Sequence, residues 1–361
     1  MSATITTIRR AEFRDAASLT SLFTQADLLA HTDVPAHTGH AYWEKRLAEY
    51  TDPAHLPLVA LAGDVIVGLV LLQSSPNSIR RKHCASLSML AVSLSHRRQG
   101  VGRALVNAAI AACDQWLNIR RIEVNIDATT VALQRFYASF GFADEGVCAK
   151  DLMCAGYYAS SRVMSRINDA LCPAEASPPL VIRRRKKLAP INIKVRPATA
   201  DDAEGYAHVF ASHSAANGTL QHPYTSPDIW RARLTAGVPN TRQIMLIATV
   251  NGRNVGNAGV HPISDNPRQK HVCGIGIGVI DAYQSRGVGR ALMNACLDYA
   301  GQWANYSRVQ LTVHADNARA IELYESLGFV TEGRHRDYSF REGGYVDALF
   351  MGRLSNALKV A

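Results

Sequence analysis

The chain has 361 residues, of which 47% are hydrophobic and 19% are charged, with a formal net charge of +9. This length favours two domains over one, and the composition is typical of a globular protein. No apolar run reaches the roughly 18 residues of a membrane-spanning helix, so no membrane span is expected.

The cysteines and the N-terminal segment bear on the compartment. Seven cysteines are scattered without CxxC spacing, a usage typical of reduced thiols rather than of disulfides or a zinc site. Met1–Ile5 carries neither a basic region nor an apolar stretch, so no secretion signal is expected. A cytoplasmic location without a bound metal is therefore predicted.

The basic excess is concentrated in one short segment. Lys and Arg exceed Asp and Glu by 3 in residues 1–167, by 4 in 168–194 and by 2 in 195–361. The middle segment contains the run Arg183–Lys187 among prolines, which favours a solvated linker, with RNA or an acidic partner surface as the alternative. We therefore predict domains at 1–167 and 195–361, joined by a linker at 168–194.

The two predicted domains are copies of one unit. A shift of 187 residues superposes Gly100–Leu105 on Gly287–Leu292 and Tyr137 on Tyr324. Between residues 100 and 146, 19 of 47 positions are identical, far more than chance supplies. The chain is a tandem duplication.

In the first copy, hydrophobic periodicity and turn residues predict alternating strands and helices. The predicted elements are a strand at Ile5–Arg10, helices at Asp15–Leu29 and Ala41–Tyr50, a hairpin of Leu58–Ala62 and Val65–Leu72 turning at Gly63-Asp64, a strand at Ser86–Val92, a helix at Val101–Trp116, a strand at Arg121–Ile126, a helix at Val131–Phe140 and two closing strands.

The second copy repeats this order. Its predicted landmarks are an N-cap at Thr199, a hairpin of Ile244–Val250 and Val255–Val260 turning at Asn251-Gly252, strands at Val272–Val279 and Arg308–Val313, and a last hairpin of Arg336–Phe340 and Tyr345–Met351. Periodicity supports an α/β class but does not give the strand order.

Glycines at the end of strand Val272–Val279 indicate a binding site. Gln284-Ser285-Arg286-Gly287-Val288-Gly289 leads into a predicted helix. Such a turn leaves backbone N–H groups uncovered at a helix N-terminus, where they and the helix dipole favour phosphate. Alone, the glycines could also be a plain helix-capping turn.

A second motif follows at Asn317-Ala318-Arg319-Ala320-Ile321-Glu322-Leu323-Tyr324-Glu325-Ser326-Leu327-Gly328-Phe329. Together the two motifs resemble those of the GCN5-related N-acetyltransferase (GNAT) superfamily, (Q/R)-x-x-G-x-G/A followed by N-x-x-A-x-x-x-Y-x-x-x-G-F. The resemblance implies a mixed, twisted sheet flanked by helices in each copy, acetyl-CoA as cosubstrate and a primary amine as acceptor.

The resemblance further implies an acetyl-CoA site in each copy, with loop amides holding the pyrophosphate and a strand N–H polarising the thioester carbonyl. In the second copy its residues are Ile277, Gly278, Val279, Gln284, Ser285, Arg286, Gly287, Val288, Gly289, Arg290 and Asn317. In the first copy they are Leu90, Ala91, Val92, Arg97, Arg98, Gln99, Gly100, Val101, Gly102 and Arg103.

Tyr324 matches the family's general acid, which protonates the CoA thiolate, and Tyr137 is its counterpart. The base is not evident, because Val272–Val279 contains no carboxylate. His314, His222 and Asp347 are candidates, and relay through water is an alternative.

The copies differ at defining positions. Thr130 stands where the motif has Asn, Leu133 where it has Ala, and Ser160 where the second copy has Asp347. We therefore expect both copies to bind acetyl-CoA and the second to carry most of the turnover. A first copy acting as a non-catalytic acyl-CoA-binding module is the alternative.

The second copy resembles the L-amino-acid N-acetyltransferase branch, which implies a small pocket formed by the loop after the first helix and the last hairpin. Its predicted substrate residues are His222, Tyr224, Tyr345 and Asp347. A polyamine, an aminoglycoside, a protein N-terminus and a lysine remain alternative acceptors. The tandem arrangement is also similar to that of mycothiol synthase. Nucleic acid binding is not favoured, because no basic face is interleaved with aromatics, and a homodimer stays open.

Overall fold

The protein is described here by a computed structural model. It covers residues 7–25, 28, 32, 34, 35, 37–75, 78–154, 156–173, 191–236, 242–264 and 266–355. The basic run Arg183–Lys187 lies outside the described residues. The chain divides into two compact units, residues 1–147 with 152–174 and residues 148–151 with 175–361. The domain limits at 167 and 195 stay predictions.

The first unit is a mixed sheet between helices. Its elements are β1 (Thr7–Arg10), α1 (Ala16–Leu22), α2 (His40–Glu49), β2 (His55–Ala62), β3 (Val65–Ser74), β4 (Cys84–Val92), α3 (Val101–Ala112), β5 (Arg121–Asp127), α4 (Val131–Ala138), β6 (Ala143–Cys154) and β7 (Tyr157–Ile167). The strands follow the order β1-β2-β3-β4-β5-β7-β6, and β4 pairs with β5 in parallel.

The second unit repeats this architecture. Its elements are β8 (Lys194–Pro197), α5 (Ala203–Ala211), α6 (His213–Gly218), α7 (Pro227–Thr235), β9 (Ile244–Val250), β10 (Arg253–Pro262), β11 (Val272–Val279), α8 (Val288–Asp298), β12 (Arg308–His314), α9 (Ala318–Glu325), β13 (Val330–Arg341) and β14 (Gly344–Leu354). The order is β8-β9-β10-β11-β12-β14-β13, with β11 parallel to β12. The predicted mixed α/β fold is confirmed.

Each face of the second sheet carries its own core. On one face, α8 buries Leu292 and Met293 against Ile275 and Val309. On the other, Tyr206 and Phe210 of α5 pack with Trp230 of α7. Among the described residues, no helix is long and apolar enough to cross a membrane.

Two helices of the first unit end earlier than predicted. Helix α1 ends at Leu22 instead of Leu29, and residue 29 itself is not described. Helix α3 ends at Ala112 and continues as a π-helical turn, Cys113–Leu117, which the left-handed Asn118 closes. The apolar spacing continues past both ends, because periodicity marks a buried face and not the hydrogen-bond register of the last turn.

Candidate active site

Separation of the parallel strands β11 and β12 opens a cavity in the second unit. Their pairing runs from Val272 opposite Arg308 to Gly274 opposite Gln310, and both strands continue beyond it. The cavity has a volume of about 1180 Å³. It therefore lies where the predicted cofactor and acceptor must meet.

Most of the predicted cofactor residues line this cavity. Those that do are Ile277, Gly278, Val279, Gln284, Ser285, Gly287, Gly289, Arg290 and Asn317, together with the predicted catalytic residues Tyr324 and His314. Arg286 and Val288 are outside the lining. The guanidinium carbon of Arg286 lies 5.9 Å from the centre of the Tyr283 ring.

The glycine turn has the same backbone geometry in both units. Gly287 (φ 91°) and Gly100 (φ 88°) are left-handed N-cap residues, and no side chain caps the helix that follows either of them. Ser285 and Arg98 are also left-handed, each with φ 60°. The N–H groups of the first turn of α8 therefore have no intrahelical acceptor and are available to an anion.

The two glycines of the turn have different local reasons. The left-handed φ of Gly287 disfavours any L side chain, although a Cβ there would meet only Ile193 Cδ1, at 3.7 Å. A Cβ on Gly289 would lie 3.2 Å from Leu323 Cδ2 on α9. Gly289 thus also permits close packing of α8 on α9.

Polar side chains brace the turn in each unit. Gln284 Nε2 donates to the Val279 carbonyl at 3.1 Å, and its Oε1 accepts from Arg319. Arg290 donates to Ser326 Oγ at 2.7 Å. These contacts join the end of β11 and the start of α8 to α9.

The first unit preserves this bracing. Arg97 Nε donates to the Val92 carbonyl at 3.3 Å, and Arg103 donates to Ser139 Oγ at 3.2 Å. The helices that follow β5 and β12 differ at their N-caps. In the second unit Asn317 Oδ1 accepts from Ala320 N at 3.3 Å, whereas Thr130 of the first unit makes no side-chain cap bond.

The two candidate acids are both buried. The Tyr324 ring packs beside Phe329 with ring centres 6.0 Å apart, and the Tyr137 ring contacts Phe136 and Phe142. Burial raises the pKa of both phenols. Each therefore keeps its proton at neutral pH, as a general acid requires.

His314 lies at the end of β12, on the cavity wall. It is buried, and its Nε2 is 2.9 Å from Ser339 Oγ. Its counterpart, Asp127, accepts hydrogen bonds from the backbone and hydroxyl of Thr129. A catalytic role for His314 stays a prediction.

The four predicted substrate residues lie outside the cavity lining. Tyr224 is 88% exposed, and His222 Nδ1 accepts from its backbone N–H. Tyr345 packs edge-on against Phe340. Asp347 accepts from Arg334 Nε at 2.8 Å and from the Asp337 backbone at 2.9 Å. The hairpin arginine therefore pairs with this carboxylate, and their roles toward an acceptor stay predictions.

Other lining residues were missed from the sequence. They include His261, Gln310 and Thr312. Gln221 and Tyr338 also line the cavity, and they lie in the loop and the last hairpin that were predicted to form the acceptor pocket. One available signal was the alternation Gly274, Gly276, Gly278, which places three glycines on one face of β11. The others come from neighbouring strands and loops, so only the tertiary fold brings them together.

Metal ligands and thiols bear on the chemistry that the protein could support. Within the described ranges, no group of three or more His, Cys, Asp or Glu side chains is arranged to hold a metal ion. None of the seven cysteines, all of which lie in these ranges, forms a disulfide.

Comparison with known proteins gives consistent matches. The model of the acetyltransferase (GNAT) family matches residues 20–142 and 210–329. The chain is 36% identical to the L-amino acid N-acetyltransferase AaaT of Escherichia coli over 162 residues, which are 45% of this chain and 98% of that protein.

A longer match reaches into both repeats. The chain is 28% identical to a mycothiol acetyltransferase of Salinispora arenicola over 300 residues, 81% of this chain and 84% of that one. Among solved structures, a GNAT acetyltransferase from Streptococcus pneumoniae is 24% identical, with a TM-score of 0.42, over 46% of this chain and 100% of its own.

Proposed function

The chain belongs to the acetyltransferase (GNAT) family and is an acetyl-CoA-dependent N-acetyltransferase, and we propose that its second unit acetylates the amino group of a small molecule such as an amino acid. The observation that carries this proposal is the row of glycines on β11. Because alternate strand residues share a face, Gly274, Gly276 and Gly278 leave one side of β11 without side chains. A Cβ on Gly276 would meet no atom within 4 Å.

The corresponding face of the first unit is filled. Gly68 and Gly256 occupy equivalent positions, since a Cβ on either would meet the same three kinds of neighbour. Both glycines face the helix after the glycine turn, α3 or α8. Leu69 and Leu71 follow Gly68 on the opposite face, which corresponds to the glycine face of β11, and both are buried with Met89 against α1 and α2. The second unit is therefore favoured as the one that binds the acceptor, because it has room beside its parallel strands.

The charges of the cavity favour an acceptor that carries a carboxylate. Of the described residues lining the cavity, Asp281 is the one carboxylate, and its Oδ1 accepts from the Ser214 backbone at 3.1 Å. Arg290 and Arg319 also line it. A polyamine, with two or more positive charges, would meet little compensating negative charge there, whereas arginine suits a carboxylate.

The chemical roles follow from this arrangement. The N–H groups at the start of α8 would hold the CoA pyrophosphate, and a backbone N–H of Ile277–Val279 would stabilise the oxyanion. Tyr324 would protonate the departing thiolate. Gln284 and Arg290 would keep the turn rigid through their bonds to β11 and α9.

An amine panel tests the acceptor. We expect release of the CoA thiol to be fastest with neutral L-amino acids, and kcat/KM at least about tenfold lower with spermidine, an aminoglycoside and a lysine peptide, which corresponds to about 1.4 kcal/mol. The highest kcat/KM with any member of the second group would contradict an amino acid acceptor.

Replacing Gly287 by alanine tests the phosphate-binding turn. A left-handed Ala costs about 1–2 kcal/mol, so we expect the KM for acetyl-CoA to rise about tenfold. Gly100→Ala places the same strain in the first unit and is expected to leave this KM unchanged. An unchanged KM in Gly287→Ala would argue against phosphate binding at this turn.

A second candidate function concerns the first unit, which would bind acetyl-CoA without turning it over. Its turn and bracing match those of the second unit, while Leu69, Leu71 and Met89 occupy the acceptor face. The scattered cysteines, without CxxC spacing, favour a cytoplasmic location. Sedimentation of the purified chain would test the homodimer.

A further inference from the structure

His261 lies at the point where the parallel strands separate. It is the Cα partner of Gly274 across β10 and β11, and Gly274 is the last residue of β11 that pairs with β12. A Cβ placed on Gly274 would lie 2.7 Å from His261 Nε2. The imidazole therefore occupies the space that a side chain at position 274 would fill, on the glycine face of β11.

The ring is accessible from the cavity. His261 is exposed and lines the cavity. In the part of the chain that the structure describes, no hydrogen bond holds either ring nitrogen. His314, on the same wall, differs because it is buried and its Nε2 contacts Ser339 Oγ.

We propose that His261 accepts the proton that the acceptor amine releases as it attacks the thioester. This role rests on the proposed function of the second unit. The amine nitrogen forms a bond to the acetyl carbon while the carbon–sulfur bond breaks. The amine proton passes to His261 Nε2, the phenol proton of Tyr324 passes to the sulfur, and exchange with water through the cavity restores both groups.

The surroundings keep the imidazole in its basic form. Desolvation by the surrounding protein lowers the pKa of His261, so the neutral ring persists to lower pH than in water. Gly274 brings no charge from β11. The titratable and charged groups that line the cavity from the other elements are His213 on α6, Arg290 on α8, His314 on β12, Arg319 and Tyr324 on α9 and Tyr338 on β13, with the carboxylate of Asp281 beyond the far end of β11.

Chemical rescue tests this assignment with the best amine from the panel. His261→Ala should lower kcat about 100-fold, the range for general base catalysis, with the KM for acetyl-CoA unchanged. Added imidazole should restore at least about a tenth of the lost rate, and its effect should grow as the pH rises through the pKa of free imidazole. His261→Gln, which preserves volume, should lose the same rate while its melting temperature stays unchanged.

The exposed His208 on α5 supplies the matched control, because His208→Ala should retain full turnover. Two results would overturn the assignment of His261 but leave the proposed function standing. One is turnover of His261→Gln close to that of the unmodified protein, and the other is imidazole rescue of His314→Ala instead of His261→Ala. An unmodified protein that acetylates no amine would overturn the proposed function, and the role of His261 with it.

Discussion

Replacing Tyr324 by phenylalanine is expected to lower kcat about 100-fold or more, the contribution typical of a general acid. Tyr324 lines the cavity together with residues of the glycine turn, and burial raises the pKa of its phenol. It therefore retains its proton at neutral and mildly alkaline pH and can pass it to the thiolate. Phe fills the same space against Phe329, so acetyl-CoA affinity should change little.

The duplication supplies the matched control. Tyr137 is equally buried and stands at the same position of the first unit, so Tyr137→Phe makes the same chemical change beside a filled acceptor face. We expect Tyr137→Phe to retain most of the turnover. A larger loss of turnover in Tyr137→Phe than in Tyr324→Phe would show that the first unit carries the main activity. Equal turnover in the unmodified protein and in both variants would show that neither tyrosine is the general acid.

Replacing Gly276 by methionine is expected to lower kcat/KM for the acceptor about 100-fold. The new side chain has open space at its Cβ and would project into the cavity, as Met89 fills the corresponding face of the first unit. With the acceptor bound beside it, the new side chain would overfill the site at a cost of about 1–3 kcal/mol, and 3 kcal/mol corresponds to a loss of roughly 100-fold in affinity. The backbone at Gly276 is not left-handed, so the fold should tolerate the change.

Two measurements separate blocked binding from damage to the fold. The KM for acetyl-CoA should be preserved, and the free energy of unfolding should change by no more than about 0.5 kcal/mol. Gly301→Met makes the same substitution at another open glycine, outside the cavity lining, and should behave like the unmodified protein. Unaltered acceptor kinetics in Gly276→Met would show that the acceptor does not bind on this face.

Several features could be predicted from local sequence because local geometry sets them. The hairpin turns at Asn251-Gly252 as predicted, and both residues are left-handed, with φ 51° and 79°, since few other pairs adopt this conformation at low cost. Gly287, the N-cap of α8, is left-handed as well, which glycine adopts at low cost. The duplication could be recognised simply by aligning the chain with its own second half.

The composition of the cavity was decided by tertiary structure. Gly274, His261 and Gln310 lie on three different strands, and their proximity depends on strand register and on the point at which β11 and β12 part. Neither is visible in the periodicity of a single segment, which reports only the buried face. The ion pair between Asp347 and Arg334 in the last hairpin is likewise a contact that periodicity does not show.

The sequence by itself determined the duplicated α/β units, the two glycine turns and the tyrosine helices, because each depends on residues close together in the chain. Only the tertiary structure showed the cavity beside the parallel strands of the second unit. On the glycine face of β11 the open space lies at Gly276, where a Cβ would meet no atom within 4 Å. In the first unit Leu69, Leu71 and Met89 are buried against α1 and α2 on the corresponding face. The difference is one of packing between distant segments.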